Sequence, residues 1–81
     1  MEFKKTYTKE EIGELAKWFE THEYEDEVVF GEGMRATNLR TNIKRMMTMA
    51  WEQHENPCFA GQIWNIFNIR EALIKQGKVK Q

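Results

Sequence analysis

Eighty-one residues support one domain and no more, read here as a single small helical domain over 1–81 with flexible tails at 1–7 and 78–81. Hydrophobic residues are 41% and charged residues 31% of the chain, a globular balance that excludes a disordered polymer. The net charge is −1, so nothing global points to nucleic acid or an anionic membrane, and the single cysteine, Cys58, excludes an internal disulfide.

A core without disulfides fits a reducing compartment. The first eight residues lack the apolar stretch of a signal peptide, and no apolar run reaches the length of a membrane span. The expected location is therefore cytoplasmic. The chain has no serine and one aspartate, Asp26, which rules out serine-based nucleophilic catalysis. Charge is unevenly placed. Between Glu10 and Glu32 nine acids face one lysine, a net of −8. Between Gly33 and Trp51 four bases meet no acid, a net of +4.

Met1 to Tyr7 reads as a frayed tail or a short extended arm, with Phe3 and Tyr7 its apolar handles. Thr8 and Glu11 form a capping box that starts a first helix over Lys9–Thr21. Ile12, Leu15, Ala16 and Phe19 form its inner stripe, with Trp18 beside it. Gly13 lies inside this helix, either to allow close packing or simply tolerated.

His22 to Asp26 is acidic and aperiodic and reads as loop. Val28, Val29 and Phe30 are β-prone but few, and Gly31-Glu32-Gly33 makes a turn. Val28 and Phe30 are expected to lie across the helices and cover one end of the core. The connection 22–37 is therefore long and irregular, packed on the core. Its alternative is a short β-pairing of Val28–Phe30 with the N-terminal arm.

A central helix over Asn38–Glu55 follows, with Thr37 the preferred N-cap and Asn38 the alternative. Leu39, Ile43, Met46, Met47, Ala50 and His54 make one stripe on it. Asn56 caps and Pro57 opens a third helix, Pro57–Gln76, that Gly77 ends. The short connection makes these two helices antiparallel neighbours. Phe59, Ile63, Ile66, Phe67, Leu73 and Ile74 form the third inner face, with Ile69 on its margin. Arg70 falls inside that stripe and should lay its methylenes on the core while its head meets an acid of the first half. Trp64 falls outside it. The fold class expected is all-α: three helices with the irregular 22–37 connection.

No constellation carries chemistry. His54, Cys58 and His22 fall short of a closed zinc site, and Pro57 breaks the helix between the first two. Cys58 has no second cysteine to resolve an intermediate and reads as an inert filler. The many acids read as a solvated face rather than as catalytic carboxyls in a cleft. No cofactor is expected, and the chain is not expected to be an enzyme. Arg35, Arg40, Lys44 and Arg45 would give a helix face able to contact phosphates, but the exposed positions of the third helix lack Lys and Arg. Trp64, with Asn65 and Asn68, is a candidate protein-interaction anchor.

Several features occur in a particular order: the acidic first helix ending in Trp18-Phe19, then Val28-Val29-Phe30-Gly31 before the next helix. A Thr-led helix follows, and Asn56-Pro57-x-Phe59 opens the last. Over about Thr8 to Ile74 this resembles a family of short, functionally uncharacterised helical domains of Bacteroidetes. The chain departs from that pattern at Thr37-Asn38, where an aspartate is expected. The resemblance implies a fold and a bacterial origin and carries over no active site. The functional expectation is a non-enzymatic intracellular accessory domain that binds another protein or itself. The alternative is a nucleic-acid-binding protein using the basic face of the central helix.

Overall fold

A computed structural model describes residues 4–31 and 33–80. The elements run α1 (Lys9–Thr21), β1 (Val28–Gly31), β2 (Met34–Ala36), α2 (Leu39–Glu52), a 3-10 turn (Pro57–Phe59) and α3 (Ala60–Lys75). The domain is thus mostly helical, with a two-stranded antiparallel sheet between the first two helices.

The start of α1 follows from its sequence. The Glu11 amide donates to the Thr8 hydroxyl at 3.1 Å, and the Thr8 amide donates to the Glu11 carboxylate at 3.0 Å. Lys4 also binds this carboxylate. The Lys4 hydrogen bond first, and the Thr8 amide second, hold the Glu11 carboxyl below its ordinary value. Ile12, Leu15 and Phe19 are buried, as their spacing predicts. A Cβ on Gly13 would meet its nearest neighbour, the Trp51 ring, at 3.9 Å, an ordinary contact. Close packing therefore does not demand glycine there. Gly13→Ala is expected to raise stability by about 0.5–1 kcal/mol, read from the urea midpoint at unchanged slope.

The connection is more regular than expected. Val28 pairs with Ala36, Val29 with Arg35 and Gly31 with Met34. The partner of β1 is thus β2, not the N-terminal arm, because Gly33 at φ 71° closes a tight turn that keeps the pairing local. The register shifts between Val29 and Gly31. One extra residue in β1 turns Phe30 off the face it would share with Val28. Val28 is fully buried, whereas Phe30, expected in the core, is 44% exposed. Glu32, the middle of the predicted turn, lies outside the described residues, as does Phe3. The Gln76 side chain covers the free edge of β1: its amide oxygen accepts from the Val29 amide and its NH2 donates to the Val29 carbonyl.

The N-cap position of α2 falls on Asn38, the alternative, and not on Thr37. Asn38 is the boundary residue, in the left-handed region at φ 54°, and its side chain makes no capping bond. The cap comes from the hairpin side. Asp26 accepts from the Arg40 amide through its carboxylate at 2.9 Å and from the Leu39 amide through its carbonyl at 3.1 Å. The C-terminal end of α2 is Glu52, three residues before the predicted Glu55. The chain turns there because His54 is engaged elsewhere, and the Asn56 amide closes a turn onto the Gln53 carbonyl at 3.0 Å.

Asn56 accepts from the Cys58 amide at 3.0 Å, as a cap should. The first turn it opens is 3-10 rather than α, and α3 proper begins at Ala60. Gly77, at φ 66°, ends α3. The Lys78 amide reaches back to the Leu73 carbonyl at 2.9 Å, which requires the left-handed residue between them.

Both predicted tails are tied to the body over their described residues. Tyr7 is buried and stacks on Phe67, centroids 5.5 Å apart. Its amide donates to the His54 carbonyl at 3.0 Å, and His54 Nδ1 lies 2.8 Å from its carbonyl oxygen. His54 is therefore a clasp for the arm rather than the end of an apolar stripe. At the other end Val79 bridges Tyr24, with Glu25 and Glu23 bonded to Lys78 and Lys80 through the backbone. The core includes Tyr7, Tyr24, Ala60 and Ile69 beside the expected stripes. Met46, Met47 and Phe59 pack at its edge. Ile74, expected inside, is 54% exposed: it stands about 100° round the helix from Leu73, and in this last turn it is Leu73 that is covered. The Arg70 guanidinium lies over the Phe67 ring, 5.3 Å from its centroid, so a ring face rather than a carboxylate is its described contact.

Candidate functional site

Helix α2 is the wall between two openings with apolar floors; a third, polar cavity of about 540 Å³ lies at its N-terminal end, lined by Glu25, Asp26, Glu27, Arg40, Thr41 and Lys80. Ile43, almost fully buried, lies at the base of the first two. Successive side chains step by about 100°, so Met46 and Met47 diverge, one to each side.

The larger opening is a cleft of about 670 Å³ between α2 and the end of α1. Ala16, Phe19, Ile43 and Met47 supply its apolar surface. Arg40 and Lys44, one turn apart on α2, form one wall; Glu20, His22, Glu23 and Tyr24 form the other. The second wall is built on stacked rings. His22 lies on Trp18 at 4.6 Å and 16°, with Nδ1 2.8 Å from the Trp18 carbonyl oxygen. Tyr24 meets Phe19 edge-on at 5.3 Å. Burial pushes the Tyr24 phenol above its ordinary value, against the opposing pull of Arg40. An Arg40 nitrogen is 3.5 Å from the Tyr24 carbonyl.

The smaller opening is a groove of about 350 Å³ along the other side of α2. Ala36 of β2, Leu39, Ile43, Met46 and Met49 of α2, and Ile69 of α3 line it, so six of its eight lining residues are apolar. Asn42 and Arg45 are the other two. Met34 shares a strand face with Ala36. Met34 is 67% exposed and Met49 50%.

The four basic residues proposed for phosphate contact do not make one face. Arg35 is paired with Glu27 at 2.8 Å. Arg40 and Lys44 line the cleft opposite two acids, and Arg45 lines the groove. Trp64 is half-buried on α3, Asn65 is exposed and Asn68 half-buried; none of the three lines either opening. His22, His54 and Cys58 go separate ways: to Trp18, to Tyr7 and to the surface. Among the described residues no group of three or more His, Cys, Asp or Glu side chains is placed to hold a metal ion.

The sequence marks Met49 only as a flank of the central stripe, Met34 as a lead into that helix, and His22–Tyr24 as loop. Which side of α2 lies open depends on where α1 and α3 dock, and a helical pattern does not state that.

Among the described residues no helix is long and apolar enough to cross a membrane. No curated protein and no solved structure matches the chain. Residues 10–76 match the model of DUF6965, a domain of unknown function. That match runs from the first turn of α1 past the end of α3 and takes in the hairpin and both openings of α2: the chain belongs to the DUF6965 family.

Proposed function

We propose that the domain is a non-catalytic interaction module that receives an apolar, acid-flanked segment of another protein in the groove between α2, β2 and α3. The observation that carries this is the apolar groove itself, along which Met49 is exposed and Met46 half-buried, with the exposed Met34 on the neighbouring strand. Monomeric domains cover contiguous apolar surface unless it is used, and methionine adapts to a partner's shape through its flexible, polarizable side chain. Arg45 in the groove favours acidic flanks on that segment. The family resemblance adds a bacterial origin.

The rival reading, nucleic-acid binding through Arg35, Arg40, Lys44 and Arg45, draws less support. Phosphate contact works through cations that share a face, and here they are divided among an ion pair, a cleft and a groove.

Photoactivatable methionine, incorporated in cells of the native host, tests the proposal. Cross-links to a different protein are expected at Met34, Met46 or Met49. Met34→Lys and Met49→Lys should abolish them and keep the unfolding midpoint, since exposed substitutions change stability by less than about 0.5 kcal/mol. Capture that survives both changes but is lost in Trp64→Ala would move the surface to Trp64, Asn65 and Asn68. Cross-links only to a second copy of the chain would replace a foreign partner by self-association.

A further inference from the structure

The cleft on the α1 side of α2 is a separate feature from the groove, and the interaction reading leaves it unused. Its charges are the reason to look again. Arg40 and Lys44 stand on one wall, Glu20 and Glu23 on the other. Among the described residues none of these four is in an ion pair with another, although each faces the opposite sign across one cavity. Arg40 reaches across the cleft only to the neutral Tyr24 carbonyl, at 3.5 Å, so among the described residues no carboxylate–cation pair closes it. Between them lies the apolar surface of Phe19, Ile43 and Met47. A volume of about 670 Å³ is the size of a small-ligand site.

We infer that this cleft binds a short apolar molecule with a carboxylate at one end and an ammonium at the other, as in a free peptide of two or three residues or an apolar amino acid. The carboxylate meets Arg40 and Lys44, the ammonium meets Glu20 and Glu23, and the apolar side chains lie on Phe19, Ile43 and Met47. The charge arrangement selects against the alternatives. A polyanion is attracted by one wall and repelled by the other, and a simple cation the reverse. Only a dipolar ligand gains from both. Span decides between the two sources. An extended tripeptide covers about 10 Å, the scale of packed helix axes, which favours a peptide over a single amino acid as the source of the dipolar ligand.

The test uses methyl NMR of the whole chain labelled at methionine, because Met47 reports on the cleft and Met34, Met46 and Met49 on the groove. The probe is leucyl-alanyl-phenylalanine with free termini, beside its N-acetylated form, its C-terminal amide and free phenylalanine. The free tripeptide is expected to shift the Met47 methyl saturably, while capping either end weakens binding by about fivefold or more, the equivalent of one ion pair. Arg40→Gln and Lys44→Gln should erase the penalty for amidation but not for acetylation, and Glu20→Gln and Glu23→Gln the reverse. Equal binding of the capped peptides, penalties that the variants do not exchange, or no Met47 shift at millimolar peptide would each overturn the inference. Phenylalanine binding as well as the tripeptide keeps the dipolar chemistry and assigns the source to a free amino acid. Shifts confined to Met46 and Met49 overturn the cleft while leaving the groove reading intact.

Discussion

Tyr7→Ala is expected to cost about 3–5 kcal/mol, and Tyr7→Phe to cost nothing or to stabilise by up to about 1 kcal/mol. The first figure is that of removing a buried aromatic ring. Tyr7 is 2% exposed, lies against Phe67, and closes the core from an arm that has no regular structure of its own. Its backbone is held on both sides by His54, so the chain has little freedom to collapse into the space left behind. The second figure has the opposite sign because the Tyr7 hydroxyl is buried with no hydrogen-bond partner among the described residues. Folding strips that group of water and returns nothing, and phenylalanine removes the loss while keeping the stack. Urea unfolding of the two variants beside the parent reads both. A Tyr7→Phe variant weaker by more than about 1 kcal/mol would mean that the hydroxyl is satisfied in solution. An alanine variant within about 1 kcal/mol of the parent would mean that the arm is not part of the cooperative core. Domains of this size are held by about 5–15 kcal/mol in all, so the alanine variant is expected to sit near its unfolding midpoint in modest denaturant.

Asp26→Ala should cost about 1–2 kcal/mol, the range for loss of a helix N-cap, although Asp26 lies outside α2 by sequence. Its carboxylate takes the Arg40 amide at 2.9 Å, and its charge stands at the positive end of the helix. Asp26→Asn retains an acceptor oxygen and loses the charge, so it should cost less, about 0.3–1 kcal/mol. Hydrogen exchange localises the effect: in Asp26→Ala the Arg40 amide should exchange faster while amides in the middle of α3 follow the global stability alone. If the order of the two variants were reversed, or the Arg40 amide unchanged, the capping role would be wrong. Asp26 supplies the bond that a side-chain cap at Thr37-Asn38 would make. The chain's one aspartate does cap this helix, from the far side of the hairpin.

The sequence by itself determined the parts whose physics is local. The Thr8–Glu11 box and the inner stripe set α1 at Lys9–Thr21, because capping and helical periodicity act within a few residues. Gly77 ends α3 since only a left-handed residue lets Lys78 reach Leu73. Leu15, Ile43, Ile63, Ile66 and Leu73 were legible as core for the same reason: a repeat of 3.6 residues marks a face before any partner is known. The tertiary structure decided everything that depends on a single contact made at long range. Tyr7 and Tyr24 are isolated in aperiodic segments, and their burial follows from where Phe67 and Val79 come to lie. Phe30 leaves the core because one bulge inverts a strand face that alternation alone would have kept inward. The four bases of the central segment look like one charged surface in the sequence, whereas docking of α1 and α3 on either side of α2 sends them to different places. Side-chain direction on a helix is fixed by sequence position, but exposure is fixed by the neighbours. For that reason the two openings on α2, and the chemistry proposed for them, emerge only once the helices are packed.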